Sequence, residues 1–368
     1  MAQNKKKIAI ILGTRPEIIK MFPVILVCQK KKLDYFILHT GQHYDYEIDK
    51  IFFEEFNCPK PKYNPNIGSA TCTDTEQIGA MLPKIEQILR REKATICLVQ
   101  GDTNTVLAGA LASSRMNVPI GHIEAGLRSF DRTMPEEVDR VVADHLSDFL
   151  FAPTEQAKKN LIEEGIDESK IFVTGNTIVD TVFKFRSSAQ KRSQILKKLN
   201  LQKNKYFLAT IHRQENVDSM PNFNNILTAF SKLSEFKDMP IIYPIHPRSK
   251  KRLREMKITL PKNVVAIDPV GFFDFLNLEM NAALIFTDSG GVQEEACILR
   301  TPCLTLRENT ERPETVTVGA NIICGRNPKN ILAIARKCLK SPRNWENPFG
   351  DGHAGEKIIN KLQKLCGF

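Results

Sequence analysis

The sequence has no apolar run long enough to cross a membrane. Its longest apolar stretches, such as Ile8 to Leu12, fall far short of the roughly 20 residues that a membrane-spanning helix needs. The first residues, MAQNKKKIAIILGTRPE, pass directly into a strand-like run, so no signal peptide is predicted. We therefore expect a cytoplasmic protein with no membrane partner.

Motifs for metals, disulfides and dinucleotides are also missing. The nine cysteines, scattered from Cys28 to Cys366, form no C-x-x-C pair, which indicates neither a zinc cage nor a disulfide framework. There is no G-x-G-x-x-G fingerprint and no P-loop. We expect reduced thiols, no metal and no cofactor.

The net charge of +10 suggests a negatively charged partner, such as a nucleic acid or a small polyanionic substrate. The basic runs are separate from one another and carry few aromatic residues, which disfavours nucleic-acid binding. Most of these lysines are typical of a solvated surface, and a small polyanionic substrate remains compatible with the charge.

What is present indicates two domains of the α/β class. A chain of 368 residues exceeds one ordinary core, and its 42% hydrophobic content is that of a globular protein. Continuous apolar strands alternate with helical patterns in both halves, which predicts parallel sheets covered by helices on both faces. The strand candidates are KIAIILGT, FILHTG, ATICLVQGD, VPIGHIEAG and FLFAPT, then KYFLATIH, PIIYPIHP, NVVAIDPV, ALIFTDSGG and PCLTLRE. We predict two doubly wound, Rossmann-like domains that face each other across a ligand-binding cleft and join near residues 173–191.

Polar residues follow the predicted strands, where such sheets bind ligands. After ALIFTDSGG, the residues Ser289, Gly290 and Gly291 predict a tight turn onto a helix whose N-terminus attracts phosphate. Glu294 and Glu295 then lie in the first turns, where a carboxylate can accept two ribose hydroxyls. The alternative is simple capping of the helix.

Polar or charged residues also follow four further predicted strands. In ILGTRPEIIK, Arg15 lies at a helix start and Lys20 one turn later, while Asp102 follows LVQG and could also be a helix cap. His212 and His246 each end a strand and precede an arginine or Pro-Arg, which favours an anion-facing rim.

The stretch GHIEAGLRSFDRTMPEEVDR places Glu124 after a strand and Pro135 at a helix start. We predict that Val138, Val142, His145 and Phe149 share the core-facing side of this helix. Glu136 and Arg140, spaced i and i+4, would share the opposite side, facing solvent or a cleft. A surface ion pair is the alternative for these two residues.

Together these motifs resemble the non-hydrolysing UDP-N-acetylglucosamine 2-epimerases, particularly the archaeal members. The resemblance covers nearly the whole chain, and it rests on LGTRPEIIK, QGDTNTVLAGALA, HIEAGLRSFDR-x-MPEE, LFAPTE, GNTIVD, IHR-x-EN, PIHPR, TDSGG-x-QEEA and ERPET. It implies two Rossmann-like domains of the GT-B kind, residues 1–175 and a UDP-binding domain of residues 176–352. A C-terminal helix, residues 353–368, would return to the first domain, and the protein would be a homodimer.

The family reaction converts UDP-N-acetylglucosamine reversibly to UDP-N-acetylmannosamine, a precursor of cell-surface polysaccharides and glycans. UDP is eliminated to give 2-acetamidoglucal, and it then adds back with the proton on the other face. The resemblance implies catalytic roles for Asp102, Glu124, Glu136 and His212. It implies substrate binding by Arg15, Lys20, Arg140, Phe275, Ser289, Gly290, Gly291, Glu295 and Arg312.

The sequence departs from the family pattern at two places. Asp139 stands where the helix motif PEE-x-NR usually has asparagine. Bacterial members bind a second, activating UDP-N-acetylglucosamine, and an arginine they use is missing from Ile67 to Thr73. The allosteric candidates that remain are Gln42, His43, Arg213, Glu215 and His246.

Other activities stay open at this stage. The same scaffold serves UDP-sugars that carry two acetamido groups, or the uronic acids made from them. A hydrolysing epimerase, a glycosyltransferase and a non-catalytic sugar-nucleotide sensor are further alternatives, and the last two have no need of three carboxylates and a histidine around one sugar.

Overall fold

The computed structural model describes residues 6–42, 46–68, 73–245 and 247–367. The chain forms two compact units, residues 1–181 with 349–368, and residues 182–348. The domain limits given above, residues 1–175 with 353–368 and residues 176–352, stay a prediction.

The first unit contains a parallel sheet of six strands among the described residues, in the order β2-β1-β3-β4-β5-β6. Its strands are β1 (Ile8–Leu12), β2 (Tyr35–His39), β3 (Ile96–Gln100), β4 (Ile120–Ile123), β5 (Phe149–Ala152) and β6 (Ile171–Val173). Its helices are α1 (Arg15–Lys30), α2 (Tyr46–Glu55), α3 (Asp74–Glu92), α4 (Asn104–Arg115), α5 (Pro135–Leu146), α6 (Glu155–Glu163) and the first part of α7 (Thr177–Arg192). Every residue of β1 and β3 is buried, as expected for a sheet covered on both faces.

The second unit contains a second parallel sheet, which has six described strands in the order β12-β11-β10-β7-β8-β9. Its strands are β7 (Phe207–Thr210), β8 (Ile241–Pro244), β9 (Val264–Ile267), β10 (Leu284–Thr287), β11 (Cys303–Thr305) and β12 (Asn321–Ile323). After α7 its helices are α8 (Ile195–Lys198), α9 (Gln214–Val217), α10 (Met220–Phe236), α11 (Pro247–Glu255), α12 (Phe272–Asn281), α13 (Gly290–Leu299), α14 (Pro313–Thr317) and α15 (Pro328–Cys338). The predicted α/β fold class with two Rossmann-like sheets is confirmed.

The C-terminal helix α16 (Ala354–Cys366) packs against α1 of the first unit, as the resemblance implied. The carboxylate of Asp180 accepts hydrogen bonds from the backbone N–H groups of Ala354 (3.1 Å) and Gly355 (3.0 Å) at the start of this helix. A side chain at Gly355 would place its Cβ 2.9 Å from the backbone of Pro23. Glycine is therefore required at this crossing of α16 and α1.

Two strands were not among the sequence candidates. β6 and β12 are three residues long and lie at the edges of their sheets. Each is only partly buried, and its sequence, IFV in β6 and NII in β12, has an apolar run too short to indicate a strand. None of the described helices is both long and apolar enough to span a bilayer.

Candidate active site

In the first unit, the carboxyl ends of β1, β3 and β4 bring together residues that are far apart in the sequence. Gly13 follows β1, Asp102 follows β3 and Glu124 follows β4. A Cβ at Gly13 would lie 2.1 Å from Thr105 Oγ1, so only glycine lets the end of β1 approach the start of α4. This edge is where doubly wound sheets bind their ligands.

Glu124 and Lys20 form a buried ion pair at this edge. Lys20 Nζ lies 2.6 Å from Glu124 Oε1 and 2.7 Å from Oε2, and Gln100 Nε2 also donates to this carboxylate. Both side chains are almost completely buried. Glu124 also has φ of +70°, a conformation that costs a non-glycine residue about 1–3 kcal/mol and is often found in active sites. The fold therefore holds a strained, charge-paired carboxylate directly after β4.

Arg140 makes a second carboxylate contact at this edge. Its Nη2 donates to Asp102 Oδ2 and its Nη1 to Glu137 Oε2. Arg140 is buried, whereas the side chain of Asp102 is 30% exposed. Asp102 is thus a charged, partly accessible carboxylate whose position is set by a buried guanidinium.

The two adjacent glutamates at the start of α5, Glu136 and Glu137, differ in burial and in contacts. Glu137 is 2% exposed and accepts hydrogen bonds from the N–H and Oγ of Ser129 and the N–H of Phe130, each at 2.9 Å. Its carboxylate therefore holds the loop that precedes α5. Glu136 is half-buried and is close enough to Asp139 to raise the pKa of that residue.

The predicted faces of α5 are wrong. Val138 is 45% exposed, Val142 is 36% exposed and Phe149 belongs to β5. The buried face instead consists of Glu137, Asp139, Arg140, Ala143 and Asp144. Hydrophobic periodicity fails here because buried charges that pair with one another can replace apolar residues on a core-facing stripe.

A buried ionic network lies behind this face. Asp144 Oδ1 is 2.7 Å from His122 Nδ1, and Asp144 Oδ2 is 2.8 Å from Arg128 Nη2. Burial acts to raise the pKa of Asp144, but the attraction of His122 and Arg128 outweighs it and the pKa is lowered. The network fixes α5 against β4 and the loop that follows it.

Glu17 is a buried residue that sequence reasoning did not single out. Its carboxylate accepts hydrogen bonds from Gly13 N–H (3.0 Å), Thr14 Oγ1 (2.7 Å) and Thr103 Oγ1 (3.2 Å). Burial raises its pKa to about 7, although these hydrogen bonds act in the opposite direction. Glu17 therefore ties the loop after β1 to the loop after β3, and its place in the TRPE motif was the available signal.

In the second unit, Asp288 organises the turn after β10. Its carboxylate accepts hydrogen bonds from the backbone N–H of His212 (3.1 Å), the N–H of Arg213 (3.0 Å) and Asn216 Nδ2 (2.9 Å). The imidazole of His212 is left 45% exposed, with Nε2 3.8 Å from Asp288 Oδ1. Sequence reasoning missed Asp288, which fixes the loop that carries His212.

The predicted phosphate turn lies beside this aspartate. Ser289 precedes α13 and its side chain makes no capping hydrogen bond, which argues against the capping alternative. A Cβ at Gly290 would lie 2.7 Å from Glu311 Oε1, whereas a Cβ at Gly291 would meet only Ser289 Oγ at 3.9 Å. Glycine is thus needed at Gly290 for packing, and Gly291 leaves the backbone open to a ligand.

Arginine and glutamate side chains surround this turn. Arg312 Nε donates to Glu294, which is completely buried, whereas Glu295 is 7% exposed. Four further contacts join Arg213 to Glu311 (3.3 Å), Arg307 to Glu311 (2.8 Å), Arg326 to Glu215 (3.2 Å) and Arg326 to Asn216 (2.6 Å). The two glutamates of QEEA therefore have different roles in the structure, because Glu294 is the one that pairs with Arg312.

The remaining candidates are distributed over both units. Arg15 starts α1 in the first unit, and Phe275 lies half-buried on α12 in the second. Of the allosteric candidates, Gln42 Oε1 accepts hydrogen bonds from the N–H (2.9 Å) and Oγ1 (2.8 Å) of Thr105 in the first unit. Arg213 and Glu215 belong to the second unit, and the predictions for His43 and His246 concern positions outside the described residues. In the described part of the chain, no cluster of three or more histidine, cysteine or acidic side chains is arranged to hold a metal ion.

Asp139 gives a testable pH dependence. Burial raises its pKa to about 7, with further contributions from Asp102, Glu136 and Asp74, while Arg140 acts in the opposite direction. Because the pKa in the folded state exceeds the usual 3.8, the stability that protonated Asp139 contributes is fully present below pH 3.8 and is lost progressively as pH rises to about 7. We expect Asp139→Asn to be more stable than the wild type by roughly 1–2 kcal/mol at about pH 8, with a smaller difference at about pH 5. Thermal unfolding at both pH values measures this, and an equal difference at both would contradict it.

Comparisons with known proteins agree with the motifs. The family model described as UDP-N-acetylglucosamine 2-epimerase matches residues 27–363. A UDP-N-acetylglucosamine 2-epimerase of Methanocaldococcus jannaschii is 54% identical over 97% of this chain and 98% of that protein. The crystal structure of the Methanocaldococcus jannaschii enzyme in complex with UDP-GlcNAc and UDP has a TM-score of 0.93, covering 97% of this chain and 99% of that one at 54% identity.

A more distant relative acts on another sugar nucleotide. The UDP-2,3-diacetamido-2,3-dideoxy-D-glucuronate 2-epimerase of Pseudomonas aeruginosa is 39% identical over 98% of this chain and 100% of that protein. The family model and the archaeal relative each match most of the chain. The chain therefore belongs to the UDP-N-acetylglucosamine 2-epimerase family.

Proposed function

We propose that this protein interconverts UDP-N-acetylglucosamine and UDP-N-acetylmannosamine by eliminating UDP to 2-acetamidoglucal and adding it back. The observation that carries the proposal is the pairing of carboxylates with cations after β3 and β4, Asp102 with Arg140 and Glu124 with Lys20. The family match and the 54% identity to an archaeal UDP-N-acetylglucosamine 2-epimerase both support it. We propose a cytoplasmic homodimer that supplies precursors of cell-surface polysaccharides.

The chemistry explains why acids and cations are needed together. The proton on carbon 2 is not next to a carbonyl, so it can leave only as the bond from carbon 1 to the diphosphate breaks. A carboxylate that removes this proton and a cation that stabilises the departing UDP would act in the same step. Asp102, Glu124, Glu136 and His212 are the proposed acids and bases.

The proposed binding residues fall into two groups. Arg15, Lys20 and Arg140 supply positive charge in the first unit. In the second unit, the phosphates are bound by Ser289, Gly290, Gly291 and Arg312. Glu295 accepts hydrogen bonds from the ribose hydroxyls, and Phe275 flanks the uracil. Retention of UDP matters because it is both leaving group and returning nucleophile.

A second candidate is the same reaction on a UDP-sugar that carries two acetamido groups, or on its uronic acid. The 39% identity to an epimerase of that substrate class keeps this candidate open. The higher identity to the archaeal UDP-N-acetylglucosamine enzyme favours the simpler sugar.

Incubation with UDP-N-acetylglucosamine in deuterated water, followed by proton NMR, tests the proposal. We expect UDP-N-acetylmannosamine that carries deuterium at carbon 2, because the abstracted proton is replaced from solvent. Release of free N-acetylmannosamine would indicate a hydrolysing enzyme. No reaction with this substrate, but deuterium exchange into the diacetamido sugar nucleotide, would select the second candidate.

A further inference from the structure

A carboxyl group is buried in the second unit without the donors that would stabilise its charge. Glu279, on α12, is completely buried. Neither of its carboxylate oxygens receives a hydrogen bond from an N–H or O–H group of the described residues. An ionised carboxylate in such a place would cost several kcal/mol, so this group is expected to carry a proton.

The neighbour of this carboxyl group is Glu295. The side chains of Glu279 and Glu295 are within hydrogen-bonding reach of each other, across the contact between α12 and α13. Two ionised carboxylates only accept hydrogen bonds, so this contact is favourable when one of them is protonated. Burial raises the pKa of Glu279 well above its usual value, and the negative charge of Glu295 raises it further. Glu295 is the less buried of the two, and it is therefore the one that keeps the charge.

The backbone around Glu279 is held from two sides. Thr301 Oγ1 donates to the carbonyl oxygen of Glu279 at 2.9 Å, which joins α12 to the turn after α13. Tyr206 OH donates to the carbonyl oxygen of Leu278 at 2.5 Å. The carboxyl group of Glu279 is thus presented to Glu295 from a fixed position.

We propose that Glu279 is a positioning residue, whose protonated carboxyl group donates a hydrogen bond to Glu295 and orients that carboxylate toward the ribose hydroxyls. The inference rests on the proposed function, in which Glu295 accepts those hydroxyls. When a fixed donor already holds one lone pair of a carboxylate, the side chain is ordered before the ligand arrives. It then loses less conformational freedom on binding than a side chain without such a donor. A neutral acid provides this donor without placing a second negative charge in the site.

Two variants at this position separate the roles of shape and hydrogen bonding. Glu279→Gln keeps the shape and an N–H donor toward Glu295, whereas Glu279→Met keeps most of the volume and removes the donor. Binding is measured by calorimetry with UDP and with a UDP analogue that lacks both ribose hydroxyls. We expect Glu279→Met to bind UDP about tenfold more weakly than the wild type and to bind the analogue equally well. Glu279→Gln is expected to bind UDP within about threefold of the wild type.

The outcomes distinguish this inference from the proposed function. If the wild-type protein does not bind UDP, the proposed function fails. If the wild type prefers UDP to the analogue and Glu279→Met keeps the same preference, the positioning role is overturned while the proposed function stands. Equal weakening of both ligands in Glu279→Met would also overturn it, because a purely structural defect does not depend on the ribose hydroxyls.

A spectroscopic measurement covers the case in which Glu279→Met does not fold. The infrared spectrum of the wild type at about pH 8 is expected to contain the carbonyl-stretch band of a protonated carboxyl group that the spectrum of Glu279→Gln lacks. A difference spectrum without this band would show that Glu279 is ionised, and an ionised Glu279 has no proton to donate.

Discussion

Glu136→Gln is expected to lower the rate of epimerisation by about 10²- to 10⁴-fold while the affinity for UDP changes little. Glutamine keeps the size of the side chain but cannot take up or release the proton. Glu136 is the member of the double glutamate suited to this role, because Glu137 is committed to Ser129, Phe130 and Arg140. Turnover is followed by proton NMR and UDP binding by calorimetry.

Glu137→Gln is the matched control, one position along α5. It weakens the contacts that hold the loop before the helix, so we expect reduced thermal stability together with any loss of rate. A Glu136→Gln protein with normal turnover would remove Glu136 from the mechanism. A parallel loss of UDP binding would instead assign it to substrate binding.

Asp144→Ala is expected to destabilise the first unit by about 3–5 kcal/mol, the usual cost of removing one partner from a buried ion pair. The change leaves His122 and Arg128 buried without the carboxylate that now contacts both. It also removes the acceptor of the Gly126 N–H, 3.1 Å from Asp144 Oδ2. Urea unfolding at neutral pH measures the difference.

Glu164→Gln serves as the control for this network. Glu164 contacts the same guanidinium, with Arg128 Nη2 2.6 Å from its Oε2, but its side chain is 27% exposed. We expect a loss of about 1 kcal/mol or less, because solvent screens this pair. Equal losses in the two variants would show that the burial of Asp144 does not determine its contribution.

The central strands were predictable because each is a continuous apolar run in a chain whose sheets are covered on both faces. Ile8–Leu12 and Ile96–Gln100 are completely buried, and their composition alone indicated this. β6 and β12 were not predictable from the same signal, since three partly buried residues do not form a recognisable pattern.

The sequence by itself determined the fold class, the family and the residue types at the strand ends, because these depend on local patterns and on long motifs in a fixed order. Only the tertiary structure decided which residues pair. Lys20 pairs with Glu124, which is 104 residues away in the sequence, and Arg140 pairs with Asp102, which is 38 residues away. No local sequence pattern predicts contacts at such separations. The same reason explains the error on α5, where Val138 and Val142 are exposed and Glu137, Arg140 and Asp144 are buried. Hydrophobic periodicity predicts that charged residues face solvent. It cannot predict partners that lie elsewhere in the chain, such as Asp102 for Arg140 and His122 for Asp144.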